Sequence, residues 1–185
     1  MANFTRQAIK ESFLKLLDER PLSKISVKDI VEDCGINRNS FYYHFQDIPA
    51  LLSETISEQA DEVIQKHPSV QSLEECFEAA FCLATEKQQT IKHIYQSVNR
   101  GAFTDELMKL CESVVRKYIE SAYGQSKMNE ADLEIVIRFL KCQLYGMIID
   151  WISAGMKEDA MEDLSRMIQL CKGVPELLLE HSLKK

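Results

Sequence analysis

The chain has 185 residues, of which 45% are hydrophobic and 28% charged, a composition typical of a globular protein with a buried core. No run approaches the roughly 20 apolar residues that span a bilayer, and no apolar stretch follows Met1, so we expect a cytoplasmic protein without a membrane span or secretion signal. The net charge of −7 argues against a protein that binds nucleic acid through bulk positive charge.

The negative charge is concentrated beyond residue 50. Residues 1–50 contain seven Lys or Arg side chains and seven Asp or Glu side chains, so this segment is neutral. Because salt screens charges over roughly 8 Å at physiological ionic strength, distant acidic residues need not prevent a neutral N-terminal segment from binding DNA. They should lower its affinity for non-specific DNA.

The chain contains few helix-breaking residues, with six Gly and four Pro, and no stretch of alternating β-branched residues. This pattern predicts an all-α fold. The first predicted helix runs from about Thr5 to Asp18, and its apolar residues repeat at helical spacing along one face: Ile9, Phe13, Leu16 and Leu17. Arg20-Pro21 ends it, because the residue before a proline disfavours the α conformation.

Two short helices separated by a tight turn follow. Ser26 is a predicted N-cap with Asp29 three residues later, the arrangement of a capping box. Gly35 ends this helix in the position that favours a left-handed cap, and Asn37 can cap a third helix over residues 38–45. Two helices joined by such a turn are typical of a helix-turn-helix, whose second helix lies in the major groove of DNA.

The third helix separates apolar from polar side chains. At 100° per residue, Phe41 and Phe45 share the inward face, and the opposite side carries four polar or amphipathic residues: Asn39, Ser40, Tyr42 and Tyr43. Arg38 and His44 flank that side. Asparagine can pair with an adenine edge and hydroxyl groups can donate to phosphates, so this surface suits a DNA groove.

Four segments of the first 50 residues resemble the N-terminal domain of the tetracycline-repressor (TetR/AcrR-like) family. They are Thr5-Arg6 with Ile9, Ile25 to Val31, Cys34-Gly35-Ile36, and Asn39 to Phe45. The resemblance implies a DNA-binding domain over residues 1–47 and a helical domain over residues 48–185 that senses an effector and forms a homodimer. It also implies that the effector changes the spacing of two DNA-reading heads, and that the protein is a repressor of a palindromic operator.

The resemblance also assigns roles to the DNA-facing residues. By motif position, Ser26, Ser40, Tyr42 and His44 would contact the DNA backbone, while Arg38, Asn39 and Tyr43 would lie nearest the bases. The chain departs from the family at Ile48, where a lysine often holds a phosphate. We therefore expect fewer charged phosphate contacts and a shallow salt dependence of binding.

The rest of the chain predicts further helices over roughly residues 48–66, 70–86, 88–99, 103–123, 129–154 and 158–172. Breaks are expected at Gly101, Gly124 and Gly155, and Gly173 with Pro175 is expected to end the last helix. The segment from Leu133 to Ile152 is apolar almost all round, so it must be covered on more than one side.

That apolar helix and the next one predict a four-helix dimer interface, although burial within one subunit would give the same pattern. The candidate interface residues are Tyr145, Ile148, Trp151, Ile152, Leu164 and Ile168. A two-fold dimer would read half-sites about 34–36 Å apart, or a multiple of that distance.

Aromatic and polar residues of the middle helices are candidates for an effector pocket, although aromatic residues at helical spacing are more often core. They are Phe77, Phe81, Tyr95, Asn99, Phe103, Tyr118 and Gln143. The effector, a small molecule or a protein, is not identified by these residues.

The sequence shows no catalytic constellation, and we expect neither enzyme activity nor a cofactor. The six cysteines contain no Cys-x-x-Cys pair, so we expect reduced core residues and no metal site. The alternative function is a helical adaptor or co-regulator that acts mainly through protein contacts. Its support is the charge of −7 and the departure at Ile48.

Overall fold

The computed structural model describes residues 2–66, 84–97, 100–124, 129–157 and 159–183. Within these ranges the regular structure is helical and contains no strand, which confirms the all-α prediction. The helices are α1 Ala2–Glu19, a 3-10 turn Leu22–Lys24, α2 Val27–Asp33, α3 Arg38–His44, α4 Ile48–Lys66, α5 Gln88–Tyr95, α6 Arg100–Tyr123, α7 Glu130–Ser153, α8 Asp159–Leu170 and α9 Val174–Leu183.

The first three helices pack against one another around side chains that the periodicity of α1 predicted. Ile9, Phe13 and Leu17 on α1 are fully buried, as are Ile30 on α2 and Phe41 on α3. Removing such side chains from water stabilises the fold by about 1.5–3 kcal/mol each. The trihelical core therefore sets the position of α3.

The chain forms two compact units. The first unit comprises residues 1–61 and 87–106, and the second comprises residues 62–86 and 107–185. Helix α5 belongs to the first unit because it packs against α1, where the Thr90 hydroxyl donates to Asp18 and a His93 ring nitrogen lies 2.6 Å from the Leu17 carbonyl oxygen. The functional boundary at residue 47 stays a prediction, since packing units and functional domains need not coincide.

Two predicted helix boundaries are wrong. Gly101 lies in the first turn of α6, which begins at Arg100, so it does not separate two helices. The predicted end at Gly173 is confirmed, since α8 ends at Leu170 and Gly173 has a φ of 88°. Pro175 does not end the helical structure, because it lies in the first turn of a further helix, α9. Proline is tolerated there, since the first turn of a helix needs no hydrogen bond from its backbone N–H. The predicted helix over residues 70–86 lies mostly outside the described residues.

The second unit is held by apolar burial and by one ionic cluster between α6 and α7. Val115 and Cys111 are buried on α6, and Leu140 and Leu144 are buried on α7. The Arg116 guanidinium donates to both carboxylate oxygens of Glu134 at 2.8 Å, a bidentate pair across the two helices. Helix α9 packs against α7. None of the described helices is long and apolar enough to cross a membrane.

The described cysteines do not all lie in the core. Cys111 is buried, and this burial raises the pKa of its thiol to about 12. Cys34 is half-buried, whereas Cys142 and Cys171 are exposed, so the expectation of core burial is wrong for these two. Cys76 and Cys82 lie outside the described residues.

Candidate nucleic-acid interface

Helix α2 begins at a complete capping box. The backbone N–H of Asp29 donates to the Ser26 hydroxyl oxygen at 3.3 Å, and the backbone N–H of Ser26 donates to the Asp29 carboxylate at 2.8 Å. The Ser26 hydroxyl itself donates to the same carboxylate. Hydrogen bonds from Ser26 hold the pKa of Asp29 below its usual value, so the box persists at neutral pH.

The turn between α2 and α3 depends on Gly35 and Asn37. Gly35 has a φ of 70°, the left-handed conformation that glycine adopts without steric cost, and the next N–H, from Ile36, donates to the Val31 carbonyl at 3.0 Å. Asn37 then caps α3, because its side-chain oxygen accepts the Ser40 N–H at 2.9 Å. Both turn residues act as the sequence predicts, and they fix the angle at which α3 leaves α2.

Helix α3 faces the core with its phenylalanines and solvent with its tyrosines. Phe41 is fully buried, Phe45 is 3% exposed, and their ring centroids lie 5.9 Å apart. Tyr42 is 56% exposed and Tyr43 is 80% exposed. This is the arrangement that the spacing of 100° per residue predicted. The two phenylalanines anchor α3 in the core, and the two tyrosines form its exposed surface.

Some polar side chains of α3 have no hydrogen-bond partner among the described residues, and others are already bonded. Arg38 and Asn39 are exposed, and their side chains have no hydrogen-bond partner within the part of the chain that the structure describes. The Ser40 hydroxyl donates to Asn37 Oδ1 at 3.1 Å, so its hydrogen already serves the cap. His44 is half-buried, with its ring edge-on to Tyr43 at 5.0 Å between centroids. Arg38 and Asn39 are thus the polar side chains most available to a base edge.

Most cations of the N-terminal segment are already paired. Five of its seven Lys or Arg side chains form ion pairs with carboxylates: Arg6, Lys10, Lys15, Arg20 and Lys28. Among the described residues, Lys24 and Arg38 have no such pair, and Ile48 at the start of α4 is half-buried. Few free cations therefore remain for phosphates, in line with the expected shallow salt dependence.

A buried lysine that the sequence did not predict lies next to α3. Lys10 is only 4% exposed, and it contacts Glu54 and Glu58 of α4. The sequence spacing is compatible with this contact. Two cations lie four residues apart on α1, Arg6 and Lys10, and two acidic residues lie four residues apart on α4. Nothing in the sequence alone indicated that these two rows meet.

The described candidate effector residues belong to both compact units. Tyr95 and Phe103 contact each other in the first unit, with ring centroids 6.5 Å apart. Tyr118 is buried in the second unit, and Gln143 is exposed on α7. Three candidates lie outside the described residues: Phe77, Phe81 and Asn99. The effector pocket stays a prediction.

The candidate dimer residues of α7 lie on its covered side. Trp151 and Ile152 are 4% and 5% exposed within their own chain, and the Trp151 indole N–H donates to the Lys157 carbonyl at 3.2 Å. Tyr145 and Ile148 are half-buried. Leu164 and Ile168 lie on α8, and their side chains are outside the described set. Trp151 and Ile152 are thus largely buried within their own chain, and their place in a dimer interface stays a prediction.

A different face of α7 is exposed and apolar. Ile135 is 64% exposed and Phe139 is 44% exposed, and Cys142 and Gly146 continue the same face at spacings of three and four residues. This spacing is that of the apolar seam between paired helices. The sequence pattern does not indicate this face, because α7 is apolar on nearly every side.

Two family models match this chain. The family "Bacterial regulatory proteins, tetR family" matches residues 13–55, and the family "Transcriptional regulator C-terminal region" of the same group matches residues 71–173, more than half of the chain.

Among curated proteins, the chain is similar to the HTH-type transcriptional regulator EthR of Mycobacterium tuberculosis and of Mycobacterium bovis, with 38% identity over 61 residues. This match spans 31% of the chain and 28% of the length of EthR. Among solved structures, the dihydroxyacetone kinase operon activator DhaS has a similar fold, with a TM-score of 0.65, 22% identity and coverage of 96% of both chains.

Proposed function

The chain belongs to the tetR family of DNA-binding transcriptional regulators, and on that premise we propose that it binds a palindromic operator as a homodimer and represses transcription. The observation that carries the proposal is the surface of α3. Two tyrosines, a free arginine and a free asparagine point outward from a helix that two buried phenylalanines hold in place.

Base recognition is assigned to the side chains that have no partner inside the chain. The Asn39 amide can donate to and accept from an adenine edge, and the Arg38 guanidinium can donate to a guanine edge, each contact discriminating by about 1–3 kcal/mol. The Tyr43 ring, 80% exposed, offers apolar surface to a thymine methyl group and a hydroxyl to a phosphate. Tyr42 and His44 are assigned to the DNA backbone.

The two serines have a weaker claim to DNA contacts. The hydroxyl hydrogens of Ser26 and Ser40 are both engaged in helix caps. A phosphate contact from either one would have to exchange an internal hydrogen bond for an external one, with little net gain. We therefore assign Ser26 and Ser40 mainly to the positioning of α2 and α3.

A footprint tests the proposal on DNA selected by the full-length protein from random duplexes and from the region upstream of its own gene. We expect a protected palindrome whose half-sites are centred about 34–36 Å apart, or a multiple of that distance. An asymmetric footprint, or no enriched sequence at physiological salt, would contradict a dimeric operator-binding protein.

For the dimer we propose the exposed face of α7 as the contact with a second copy. Ile135 and Phe139 leave apolar surface in water, and the seam continues through Cys142 and Gly146, small residues that let another helix approach closely. A second copy fits this face, because a two-fold axis pairs the same seam with itself. Sedimentation of the wild-type chain at micromolar concentration should give a dimer, and a monomer would contradict the proposal.

Repression and effector control are proposed from the family. EthR is a transcriptional regulator and DhaS is an activator, so a shared fold leaves the sign of regulation to experiment. We propose a cytoplasmic regulator without enzymatic activity, in which an effector shifts the population between DNA-competent and DNA-incompetent states. Deleting the gene should raise transcription from the operator-linked promoter, and a fall would show an activator.

A further inference from the structure

Four charged side chains of the first unit join α1 to α4, and we name them the ionic clamp: Arg6, Lys10, Glu54 and Glu58. Arg6 Nε donates to Glu54 Oε1 at 2.8 Å, and Arg6 Nη2 pairs with the other oxygen of the same carboxylate. The Lys10 ammonium group pairs with Glu54 and also donates to Glu58 Oε1 at 2.5 Å. Glu54 is thus the carboxylate that both cations share.

The ionic clamp lies against Phe45, the residue that follows the DNA-facing helix α3. The Arg6 guanidinium carbon is 5.4 Å from the centroid of the Phe45 ring, and the Lys10 ammonium nitrogen is 5.9 Å from it. Both distances are within the range of cation–π attraction. Phe45 is the C-cap of α3, so the cations contact the end of that helix directly.

Burial makes a carboxylate partner necessary for Lys10, and Glu54 is the partner that Lys10 shares with Arg6. The Lys10 side chain is 5% exposed, and a buried ammonium group without a partner is strongly unfavourable. Burial acts to raise the pKa of Glu54, but hydrogen bonds from Arg6 and Lys10 outweigh it and hold the pKa below its usual value. Glu54 therefore stays ionised at neutral pH and keeps both cations beside the ring.

We propose that Glu54 is a positioning residue for operator recognition. By holding two cations against Phe45 it fixes the tilt of α3, and this inference rests on the proposed function of that helix. Without the Glu54 carboxylate, Arg6 loses its partner and Lys10 keeps only Glu58, so both cations shift relative to the Phe45 ring. Base contacts tolerate displacements of only about 0.5 Å, so a small tilt weakens the reading of sequence.

The sign of the effect separates positioning from simple electrostatics. Glu54→Gln removes a negative charge from the DNA-binding unit, so long-range attraction alone would strengthen binding to every DNA. If Glu54 positions α3, Glu54→Gln should weaken binding to the operator and not binding to non-specific DNA. The ratio of operator affinity to non-specific affinity is therefore the decisive quantity.

The test compares Glu54→Gln with Asp61→Asn in the full-length chain. Asp61 lies on the same helix, is exposed, and has no hydrogen bond or ion pair within the described ranges, so this variant makes the same charge change without touching the ionic clamp. We expect Glu54→Gln to bind the operator about 10-fold more weakly and random duplex DNA within about 2-fold of wild type. Asp61→Asn should bind the operator at least as tightly as wild type.

Two outcomes would overturn the inference. One is equal operator affinity for Glu54→Gln and Asp61→Asn, and the other is a parallel loss on operator and random DNA. If the wild-type chain itself selects no operator, the proposed function fails separately from this inference.

A second variant covers the case in which Glu54→Gln does not fold, which circular dichroism would show. Arg6→Lys keeps the charge but loses the bidentate contact with Glu54, so we expect a smaller loss of the affinity ratio, about 3-fold. An unchanged ratio in folded Arg6→Lys would contradict the inference.

Discussion

Helices α3 and α7 both expose aromatic side chains, but the chemistry around them differs. On α3 the exposed rings are Tyr42 and Tyr43, each with a hydroxyl, and their neighbours are polar. On α7 the exposed ring is Phe139, and its neighbours along the face include Ile135. Tyrosine suits a hydrated and charged partner surface, such as a DNA groove. Phenylalanine and isoleucine gain most free energy when they are buried against an apolar protein surface that excludes water.

The largest expected effect is a loss of stability when a residue on the buried side of α7 is replaced. Trp151 is buried with its indole hydrogen bond satisfied, so Trp151→Ala removes core packing and should lower the free energy of unfolding by about 3–5 kcal/mol. Thermal unfolding followed by circular dichroism measures the loss. A change under about 1 kcal/mol would mean that Trp151 is not a core residue and would restore it as a candidate interface anchor.

The next effect concerns the exposed side of the same helix. Phe139→Asp places a charge in the proposed seam, so we expect the dimer dissociation constant to rise about 100-fold or more, equivalent to about 2.7 kcal/mol. Sedimentation velocity measures the dimer, and circular dichroism should show intact helices. A dimer as tight as wild type would place the interface elsewhere.

A smaller effect tests whether Ser26 serves the fold or the DNA. Because Ser26 completes a capping box, Ser26→Ala should cost about 1 kcal/mol of stability and reduce operator affinity by no more than a few fold. Ser23→Ala is the matched control, since Ser23 is exposed and caps no helix. Unchanged stability with a large loss of operator affinity would instead identify Ser26 as a direct phosphate contact.

The smallest effect is a difference in thiol labelling at pH 8. Burial raises the pKa of Cys111 to about 12, so its thiol stays protonated and should not react until the chain unfolds. Cys142 lies on the exposed face of α7, so it should react slowly in the wild-type dimer and quickly in Phe139→Asp. Peptide mapping by mass spectrometry distinguishes the two sites. Equal labelling of Cys142 in both proteins would argue against a covered seam.

The sequence predicted α3 better than α7 for a physical reason. In α3, the N-cap at Asn37 fixes where the helix begins, and Phe and Tyr lie on opposite faces. Only one orientation of the helix then buries the apolar side. Helix α7 is apolar almost all round, so its pattern cannot say which face its own chain covers. Trp151 has the chemistry of an interface anchor, and only the structure shows that its own chain already covers most of its surface.

The ionic clamp was not predicted either, since a lysine such as Lys10 is usually solvated. Its burial depends on where α4 lies against α1, which is a tertiary feature. The spacing of cations on one helix and acids on another is compatible with many arrangements. Local chemistry therefore predicted the turns and caps, while contacts between distant segments needed the structure.

The most direct test of the central claim is the operator affinity of Asn39→Ala, measured by titration of a labelled duplex. The Asn39 side chain is exposed and has no hydrogen bond inside the described part of the chain, so its removal should leave the fold and the dimer unchanged. Both heads of a dimer would lose a base contact of about 1–3 kcal/mol, so we expect operator binding about 30-fold weaker or worse. Gln7→Ala on α1 is an exposed control that should bind normally. Operator affinity within 2-fold of wild type in folded, dimeric Asn39→Ala would contradict base reading by this face of α3.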